Sequence, residues 1–245
     1  MSKSGGMGDN FYVDGYDLSG DINSLSRIGG GPAMFDMTGI DKAAFERQGG
    51  LRDGSIEWVT YMNDSVGQAF DRLSNLPTSD VVVAYFRGTA LGNQAASCVA
   101  KQVNYDPTRG ADGDLKFAVQ ATSNGYGVEW GTQVTAGKRS DTTATSPATG
   151  VDFLAASSFG WQAYLQVFSF TGTSCTVTLQ DSANNSAFAG FTGSAFVAAT
   201  AIGTQRIAGT PTSTVRQYVR AITTGTFSEC TFAVMFVKNE SLVAF

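Results

Sequence analysis

The sequence predicts a mainly β protein, and two patterns carry that prediction. Over residues 99–121, apolar and polar residues alternate with period two on both sides of a turn rich in Asp, Gly and Pro, which indicates a hairpin of two half-buried strands. Beyond residue 150, short apolar runs are separated by Gly- and Asn-containing turns, without any helical period between them. This second pattern is typical of an antiparallel β-sandwich, of jelly-roll or Ig-like type.

The first 100 residues contain shorter strand candidates and one segment without clear periodicity. Residues 11–28 hold two short runs between Gly- and Asp-rich turns, and residues 34–38 form another short run. Residues 40–52 mix polar and apolar residues and include Gly49 and Gly50, so we expect a loop with at most one helical turn. The remaining strand candidates of this half cover residues 54–62 and 80–87.

One helix is expected, over residues 65–76. Asp64 or Ser65 can accept hydrogen bonds from the first free N–H groups of this segment, and Pro77 ends it because proline has no N–H to donate. The apolar side chains recur at helical spacing and predict a stripe that packs against a sheet. The stripe consists of Val66, Phe70, Leu73 and Leu76.

Six strand candidates follow in the second half of the chain. Turn residues separate them, most clearly at residues 172–173 and 184–185. The last candidate has apolar residues on both faces, which indicates a strand that is covered on both sides. The six candidates cover residues 162–170, 175–180, 194–200, 205–207, 215–223 and 229–238.

Charge and composition divide the chain into four parts. Residues 1–145 carry 12 Lys and Arg and 17 Asp and Glu, whereas residues 146–245 carry four of each class. The first ten residues are polar and glycine-rich, and a Thr-, Ser- and Gly-rich stretch near residue 145 has the composition of a linker. We therefore predict a flexible arm over residues 1–10, a β domain over 11–140, a linker over 141–150 and a β-sandwich domain over 151–245.

The residue types of common catalytic and metal sites are missing from this sequence. It has no histidine, which removes Ser-His-Asp and Cys-His catalysis and His-ligated zinc. It also lacks a phosphate-binding P-loop and a G-x-S-x-G nucleophile turn. Cys98, Cys175 and Cys230 lie in apolar runs, so we expect buried free thiols, with a Cys175–Cys230 disulfide as the alternative. We expect neither enzyme activity nor a cofactor.

Composition also bears on binding partners. The formal net charge of −5 argues against tight nucleic-acid binding, which needs Lys and Arg to neutralise phosphates, but it allows a wall past which DNA slides. No run of 18 apolar residues occurs, so no membrane-spanning helix is expected.

Two ligand classes stay open at this point. Asp106, Asp112 and Asp114 flank one turn and could bind calcium, although the Glu that completes a calcium loop is missing. Aromatic side chains could stack on sugars, but more often such residues belong to a core or a subunit contact. The aromatic candidates are Tyr12, Tyr16, Trp58, Tyr126, Trp130 and Trp161.

The chain resembles tail proteins of long-tailed bacteriophages, particularly those that infect actinobacteria. The likeness is carried by residues 84–139 (AYFRGTALGNQAASCVAKQVNYDPTRGADGDLKFAVQATSNGYGVEWGTQVTAGKR), by GYDLSGDINSL and GLRDGSIEW upstream, and by VRQYVRAITTGTFSECTFAVMFVKN downstream. It spans roughly residues 11–238. The family is that of the tail tube, or major tail, proteins.

The resemblance implies a tail-tube-like β-sandwich or barrel with one flanking α-helix, which closes into hexameric rings that stack into a tube conducting genomic DNA. It implies a location in the virion tail, with assembly in the host cytoplasm. The implied partners are further copies of the chain and other tail proteins, with double-stranded DNA passing without specific binding and with no membrane partner. Against it stand another virion structural protein, such as a capsid decoration, tail terminator or distal tail protein, and a carbohydrate-binding adhesin.

The same resemblance implies roles for individual residues. The strands of the hairpin at residues 99–121 would line the lumen, and the 38–52 segment and the N-terminus would contact the next ring. The second domain would decorate the outside or seal between rings. The implied lumen-facing residues are Gln102, Asn104 and Gln120, and the implied ring-contact residues are Phe45, Arg47 and Arg52.

Overall fold

The computed structural model describes residues 5–243, which form fourteen strands and one short helix. The prediction of a mainly β fold is confirmed, and every strand pair in this part of the chain is antiparallel. Residues 1–4 of the predicted N-terminal arm lie outside the described residues. The elements are β1 (Asn10–Val13), β2 (Tyr16–Asp17), β3 (Ile22–Asp36), β4 (Arg47–Tyr61), α1 (Ala69–Leu73), β5 (Val81–Phe86), β6 (Gln94–Arg109), β7 (Leu115–Ser123), β8 (Glu129–Gln133), β9 (Arg139–Asp141), β10 (Val151–Asp152), β11 (Trp161–Ser182), β12 (Ala189–Ala195), β13 (Gly203–Ala208) and β14 (Tyr218–Lys238).

One continuous path of hydrogen-bonded strands connects both halves of the chain. Its order is β12-β11-β14-β8-β6-β5-β1-β2, and β7, β4 and β3 branch from β6 in that order. Strand β8 is the link, because it pairs with β6 on one side and with β14 on the other. Backbone hydrogen bonds therefore join strands of the two predicted domains.

The hairpin predicted over residues 99–121 is confirmed as β6 and β7. Phe117, Val119 and Ala121 of β7 lie on its buried face, as the alternation predicts, and residues 110–114 form the turn. A bulge between Gln102 and Asn104 changes the pattern in β6, because one extra residue shifts the following side chains to the other face. Before the bulge, Gln102 lies on the same buried face as Cys98 and Ala100, and Val103, which was expected to face inward, is exposed.

Residues 22–61 form one long two-stranded hairpin. The prediction of a loop over residues 40–52 is confirmed for 40–46, which connect the two strands, and is wrong for 47–52, which belong to β4. β3 and β4 pair along their lengths, and the chain reverses between them. Glycines that resemble turn signals lie inside this ladder: a Cβ atom on Gly30 would be 2.2 Å from the carbonyl oxygen of Asp53. The outer part of the hairpin is exposed on both faces, which explains why no apolar alternation marks it in the sequence.

Helix α1 covers Ala69–Leu73 and is shorter than the predicted 65–76. Gly67 has a φ of 81°, a left-handed conformation that interrupts the helix before it. The carboxylate of Asp21, which precedes β3, accepts a hydrogen bond of 3.0 Å from the Ala69 N–H and so supplies the cap from a distant part of the chain.

The predicted apolar stripe of this helix is only partly buried. Leu73 is fully buried, but Phe70 is 38% exposed, and both Val66 and Leu76 are exposed. The helix therefore packs on the sheet through Leu73 and Ala69. The ring of Phe70 is available at the surface.

Two very long strands replace four of the short strands predicted in the second half. β11 and β14 pair from Trp161 opposite Lys238 to Ser182 opposite Tyr218, and the ladder has bulges near its middle. The turn expected at residues 172–173 is therefore a bend within a strand. The turn expected at residues 184–185 is confirmed as the connection between β11 and β12.

Glycines make the bends in the two long strands possible. Gly172 and Gly225 have φ angles of 149° and 119°, and a Cβ atom on Gly225 would be 2.3 Å from the carbonyl oxygen of Ser174. Because each strand bends, residues from both of its ends face the same core, among them Leu165 and Leu179 of β11. A strand that passes from one layer to another in this way closes the corner of a sandwich.

The predicted linker over residues 141–150 is bonded to the second half of the chain. The Asp141 carboxylate accepts a hydrogen bond of 2.7 Å from the Thr223 hydroxyl. The backbones of Thr145 and Thr223 exchange hydrogen bonds of 3.2 and 2.9 Å. The segment thus follows β14, while the division of the chain into two domains stays a prediction.

Buried apolar side chains of the described residues form three clusters. The first lies under α1 in the N-terminal half and includes Trp58 and Leu73, and the second lies between the layers of β11 and β14 and includes Trp161. The third cluster contains residues of both halves, among them Tyr12 of the N-terminal half and Met235 of the C-terminal half. The two halves therefore share a core as well as a sheet.

The three cysteines are buried and free, as the sequence predicts. Cys175 and Cys230, the alternative disulfide pair, both lie in the second cluster as thiols. Burial, together with the charge of Glu129, raises the pKa of the Cys98 thiol to about 12, so it stays protonated at neutral pH.

Candidate assembly surfaces

The outer part of the β3–β4 hairpin, residues 29–53, projects from the fold, and we call it the arm. Hydrogen bonds within the chain shape its tip. The hydroxyl and the N–H of Thr38 donate to the Asp36 carboxylate, at 2.5 and 3.0 Å, and hold the pKa of that carboxyl below its usual value. The Glu46 N–H donates to the Thr38 hydroxyl oxygen at 2.9 Å. The arm therefore presents a defined shape to a partner.

Large apolar side chains cover the arm without entering the core. Phe45 is 70% exposed, and the guanidinium of Arg47 lies 4.9 Å from the centre of its ring. Monomeric soluble proteins rarely leave a large contiguous apolar area in water, and such areas mark interaction surfaces. The exposed apolar side chains of the arm are Met34, Phe35, Met37, Ile40, Phe45 and Leu51.

The implied ring-contact residues fall into two environments. Phe45 and Arg47 lie towards the tip of the arm, where another chain can reach them. Arg52 lies at its base and its Nη1 is 3.8 Å from Oε1 of Glu129, so part of its role is within the chain. The contact with a neighbouring ring stays a prediction for all three.

A second apolar surface lies beside α1, and we call it the body patch. The rings of Tyr105 and Phe117 stack with 4.2 Å between their centroids, and Phe70 lies 6.3 Å from Tyr105. The Met62 N–H donates to the Leu115 carbonyl at 3.3 Å and brings these two side chains to the same edge. The body patch consists of Met62, Phe70, Tyr105 and Leu115, each partly or well exposed.

The three residues implied to face a lumen do not share one environment. The buried amide of Gln102 donates to the Leu73 carbonyl at 2.7 Å, so Gln102 is not a surface residue and the expectation that it faces a lumen is wrong. It lies on the same buried face of β6 as Cys98 and Ala100. The Asn104 side chain accepts a hydrogen bond of 2.6 Å from the Gln120 N–H. A lumen-facing role for Asn104 and Gln120 stays a prediction.

Gln120 belongs to a polar groove of about 460 Å³ on the face of β3, β4 and β7 that is turned away from the first core. Charges of both signs lie close together in it, since Arg27 is opposite Glu57 in the β3–β4 ladder. A wall of this kind neither holds phosphates tightly nor repels them strongly. The groove is lined by Arg27, Asp53, Ser55, Glu57, Gln120 and Thr122, among others.

A buried ionic network at the junction of the two halves was missed by the sequence analysis. Glu129 of β8 is only 3% exposed, and the Nη2 of Arg206 lies 3.3 Å from each of its carboxylate oxygens. The Tyr164 hydroxyl donates to the same carboxylate at 2.5 Å, and burial with the nearby Glu129 charge raises the pKa of that hydroxyl. The guanidinium of Arg206 also lies 3.7 Å from the ring centre of Tyr126.

This network fixes three strands of the sheet relative to each other. Glu129 comes from β8, Tyr164 from β11 and Arg206 from β13. A weak signal for it exists in the sequence, because Arg206 is one of only four cations beyond residue 145 and sits beside apolar residues. The partner of such a cation, 77 positions away, cannot be found by local pattern.

The aromatic candidates for sugar stacking differ in exposure. Tyr12, Trp58 and Trp161 are buried, whereas Trp130 is 52% exposed. Residues 5–243 contain no group of three or more His, Cys, Asp or Glu side chains arranged to hold a metal ion. Within the same range, no helix reaches the length and hydropathy needed to cross a membrane.

No protein-family model matches this sequence, and no curated protein sequence matches it. Among solved structures, the chain is similar to the Dit protein of phage SPP1, a paradigm of the hub adsorption apparatus in phages that infect Gram-positive bacteria. That likeness has a TM-score of 0.32 and 14% identity, and covers 94% of this chain and 99% of that one.

The chain is also similar to chains in two baseplate structures, both in the activated conformation. The first, of phage p2 with Sr, has a TM-score of 0.32 and 9% identity, and the likeness covers 96% of this chain and 99% of that one. The second, of phage P2 with Ca, has a TM-score of 0.28 and 9% identity, with 96% and 100% covered. All of these TM-scores lie below 0.5, and none carries a functional conclusion.

Proposed function

We propose that the chain is a structural subunit of the virion of a long-tailed bacteriophage, and specifically the tail tube protein. In this role it forms hexameric rings that stack into a tube around the genomic DNA. The observation that carries the proposal is the arm, a long hairpin that exposes six large apolar side chains which its own chain leaves uncovered. Such a surface is stabilised when another subunit buries it.

The positions of the apolar surfaces favour contact between many copies. The arm and the body patch are different surfaces, so contacts between them on successive copies are head-to-tail and close into rings or extend into filaments. Strand β3 pairs only with β4 among the described strands, which leaves its other edge free to accept a strand of a neighbour. Both features support an assembled working state.

The polar groove supports a passive role towards DNA. It combines Arg27 with Asp53 and Glu57, and the whole chain carries a formal net charge of −5. A duplex moving along this face meets no continuous row of cations that would hold it. The proposed partners are therefore other copies of the chain, other tail proteins and double-stranded DNA in transit, within a virion tail that is assembled in the host cytoplasm.

Negative-stain electron microscopy of the purified full chain tests the proposal. Tubes of stacked rings are the expected result. Closed rings that do not stack at any protein concentration would refute the tube assignment and favour a virion component that ends or caps the tail. A chain that remains monomeric at high concentration would refute both.

The variant Phe45→Asp tests whether the arm makes the contact. A carboxylate on this exposed position should abolish assembly, because the contact loses a large apolar side chain and must take a charge out of water. The melting temperature of the subunit should change little, since Phe45 is 70% exposed. Val197→Asp is the matched control: it also places a charge on an exposed apolar residue, but outside the arm and the body patch, and should assemble normally. Normal assembly of Phe45→Asp would exclude the arm tip as a contact.

A further inference from the structure

An open cleft of about 280 Å³ lies where β8, β6 and the end of β14 meet. Trp130 forms one wall, and it is 52% exposed although the other two tryptophans are buried. Gly131, between Trp130 and Thr132, allows β8 to approach β14 closely, since a Cβ atom there would be 2.4 Å from the carbonyl oxygen of Phe236. The cleft therefore combines a flat aromatic wall with closely spaced strands at its base.

The orientation of the indole ring is set by a neighbouring aromatic residue. Tyr85 packs against Trp130 at 6.4 Å between ring centroids, with an interplanar angle of 77°. The Tyr85 hydroxyl in turn donates a hydrogen bond to the Asp9 carboxylate. An aromatic wall that is held in place before a ligand arrives costs less conformational entropy on binding.

The charged groups of the cleft exclude an anionic ligand. The Lys238 ammonium donates to the carbonyl oxygens of Phe153 and Ala155, at 2.9 Å each, and lies 3.1 Å from the Glu240 carboxylate. An ammonium has three donor hydrogens, and these three partners use them all. No cation of the cleft is left for a phosphate or a carboxylate.

The remaining polar groups suit hydroxyl groups. Gln94 and Thr132 are opposite each other in the β6–β8 ladder, on the same face as Trp130, and supply an amide and a hydroxyl. Glu240 is 81% exposed and keeps acceptor positions beyond its contact with Lys238. These neutral donors and anionic acceptors lie around the rim of an aromatic wall.

We propose that this cleft binds a neutral carbohydrate, with a pyranose ring stacked on Trp130. The C–H face of the sugar packs on the indole, and its hydroxyl groups bond to Gln94, Thr132 and Glu240. A wholly apolar ligand would leave these polar groups without partners, which costs binding free energy. The cleft shares no residue with the arm or the body patch, so the proposal is independent of the tail-tube function.

Intrinsic fluorescence of the full chain tests the proposal, because Trp130 is exposed while Trp58 and Trp161 are buried. The probes are D-glucose, D-galactose, N-acetyl-D-glucosamine and L-rhamnose, each titrated separately with acrylamide as the quencher. At least one sugar should protect the indole from acrylamide in a saturable way. Titration calorimetry with that sugar should show a loss of affinity of about tenfold or more in Trp130→Ala, which corresponds to the loss of a stacked contact.

Two further variants separate stacking from a general loss of structure. Trp130→Phe keeps a flat ring and should retain the affinity within about threefold, and Val197→Ala, outside the cleft, should bind as the unchanged chain does. The proposal is overturned if none of the four sugars protects the indole, or if Trp130→Ala binds as tightly as Trp130→Phe. It is also overturned if Trp130 becomes shielded as protein concentration rises without sugar, since another copy then covers the cleft.

Discussion

Replacing Glu129 with alanine removes the shared acceptor of Arg206 and Tyr164 in the buried network. The Arg206 side chain is only 8% exposed, so its charge would remain in the interior without its main counterion. Removing one partner of a buried pair costs about 3–5 kcal/mol, and the lost hydrogen bonds are already part of that cost. We therefore expect Glu129→Ala to lower the free energy of unfolding by about 3–5 kcal/mol. This is a large fraction of the total stability of an ordinary domain, which is about 5–15 kcal/mol.

Urea unfolding followed by tryptophan fluorescence measures this change at a protein concentration low enough to prevent assembly. Glu240→Ala is the control, because Glu240 also pairs with a cation, Lys238, but is 81% exposed, and its loss should cost less than about 1 kcal/mol. The effect of Glu129→Ala should persist at high salt, which screens surface charges but not buried ones. A double variant, Glu129→Leu with Arg206→Met, should recover much of the loss, because it removes both buried charges. A cost for Glu129→Ala that equals the control would refute the role given to the network.

Two other predictions concern α1 and the effect of alkali. Leu73→Ala should lower the free energy of unfolding by about 2–5 kcal/mol because Leu73 is fully buried. Phe70→Ala should lower it by no more than about 1–2 kcal/mol because that ring is partly in solvent. If urea unfolding shows the larger loss for Phe70→Ala, the packing of α1 described above is wrong. Burial raises the pKa of Tyr85 from 10.0 and of Cys98 from 9.0, each to about 12, so the folded chain holds both protons more tightly than the unfolded chain does. The free energy of unfolding contributed by these two groups is therefore present below pH 9 and should fall as pH rises towards 12. In Cys98→Ala the part of the loss that begins near pH 9 should be absent, because that part comes from the thiol. Unfolding curves recorded between pH 8 and 11 check this, and a flat profile would contradict it.

The parts of the fold that the sequence predicts are those with a local pattern. Strand β7 has one buried and one open face, so its alternation gives both its type and its inner residues. The arm has no such pattern, because both of its faces are exposed and the glycines inside its ladder resemble turn signals. Gly172 misled the interpretation in a similar way, since it bends a continuous strand instead of ending one.

The candidate surfaces depend more heavily on contacts between distant residues. The sequence places Phe45 and Arg47 in the segment that became the arm, but not Met34 or Phe35, which belong to the opposite strand. Val99 and Tyr105 show a further limit. Alternation places them on one face, but the bulge after Gln102 puts Tyr105 against the first cluster while Val99 packs against the third. The Glu129–Arg206 pair is set entirely by tertiary contact.

Strand β14 is the hydrogen-bonding partner of β8, β9, β10 and β11, and this has a consequence for the newly made chain. Gln133 leaves the ribosome about 100 residues before its partner Met235, which is a delay of about 5–20 s at about 5–20 residues per second. During that interval the carboxylate of Glu129 and the edge of β8 that will pair with β14 lack their final neighbours. Chaperones that shield strand edges would act in this window, and translation speed through β14 would set how long nascent chains stay open to mispairing with one another.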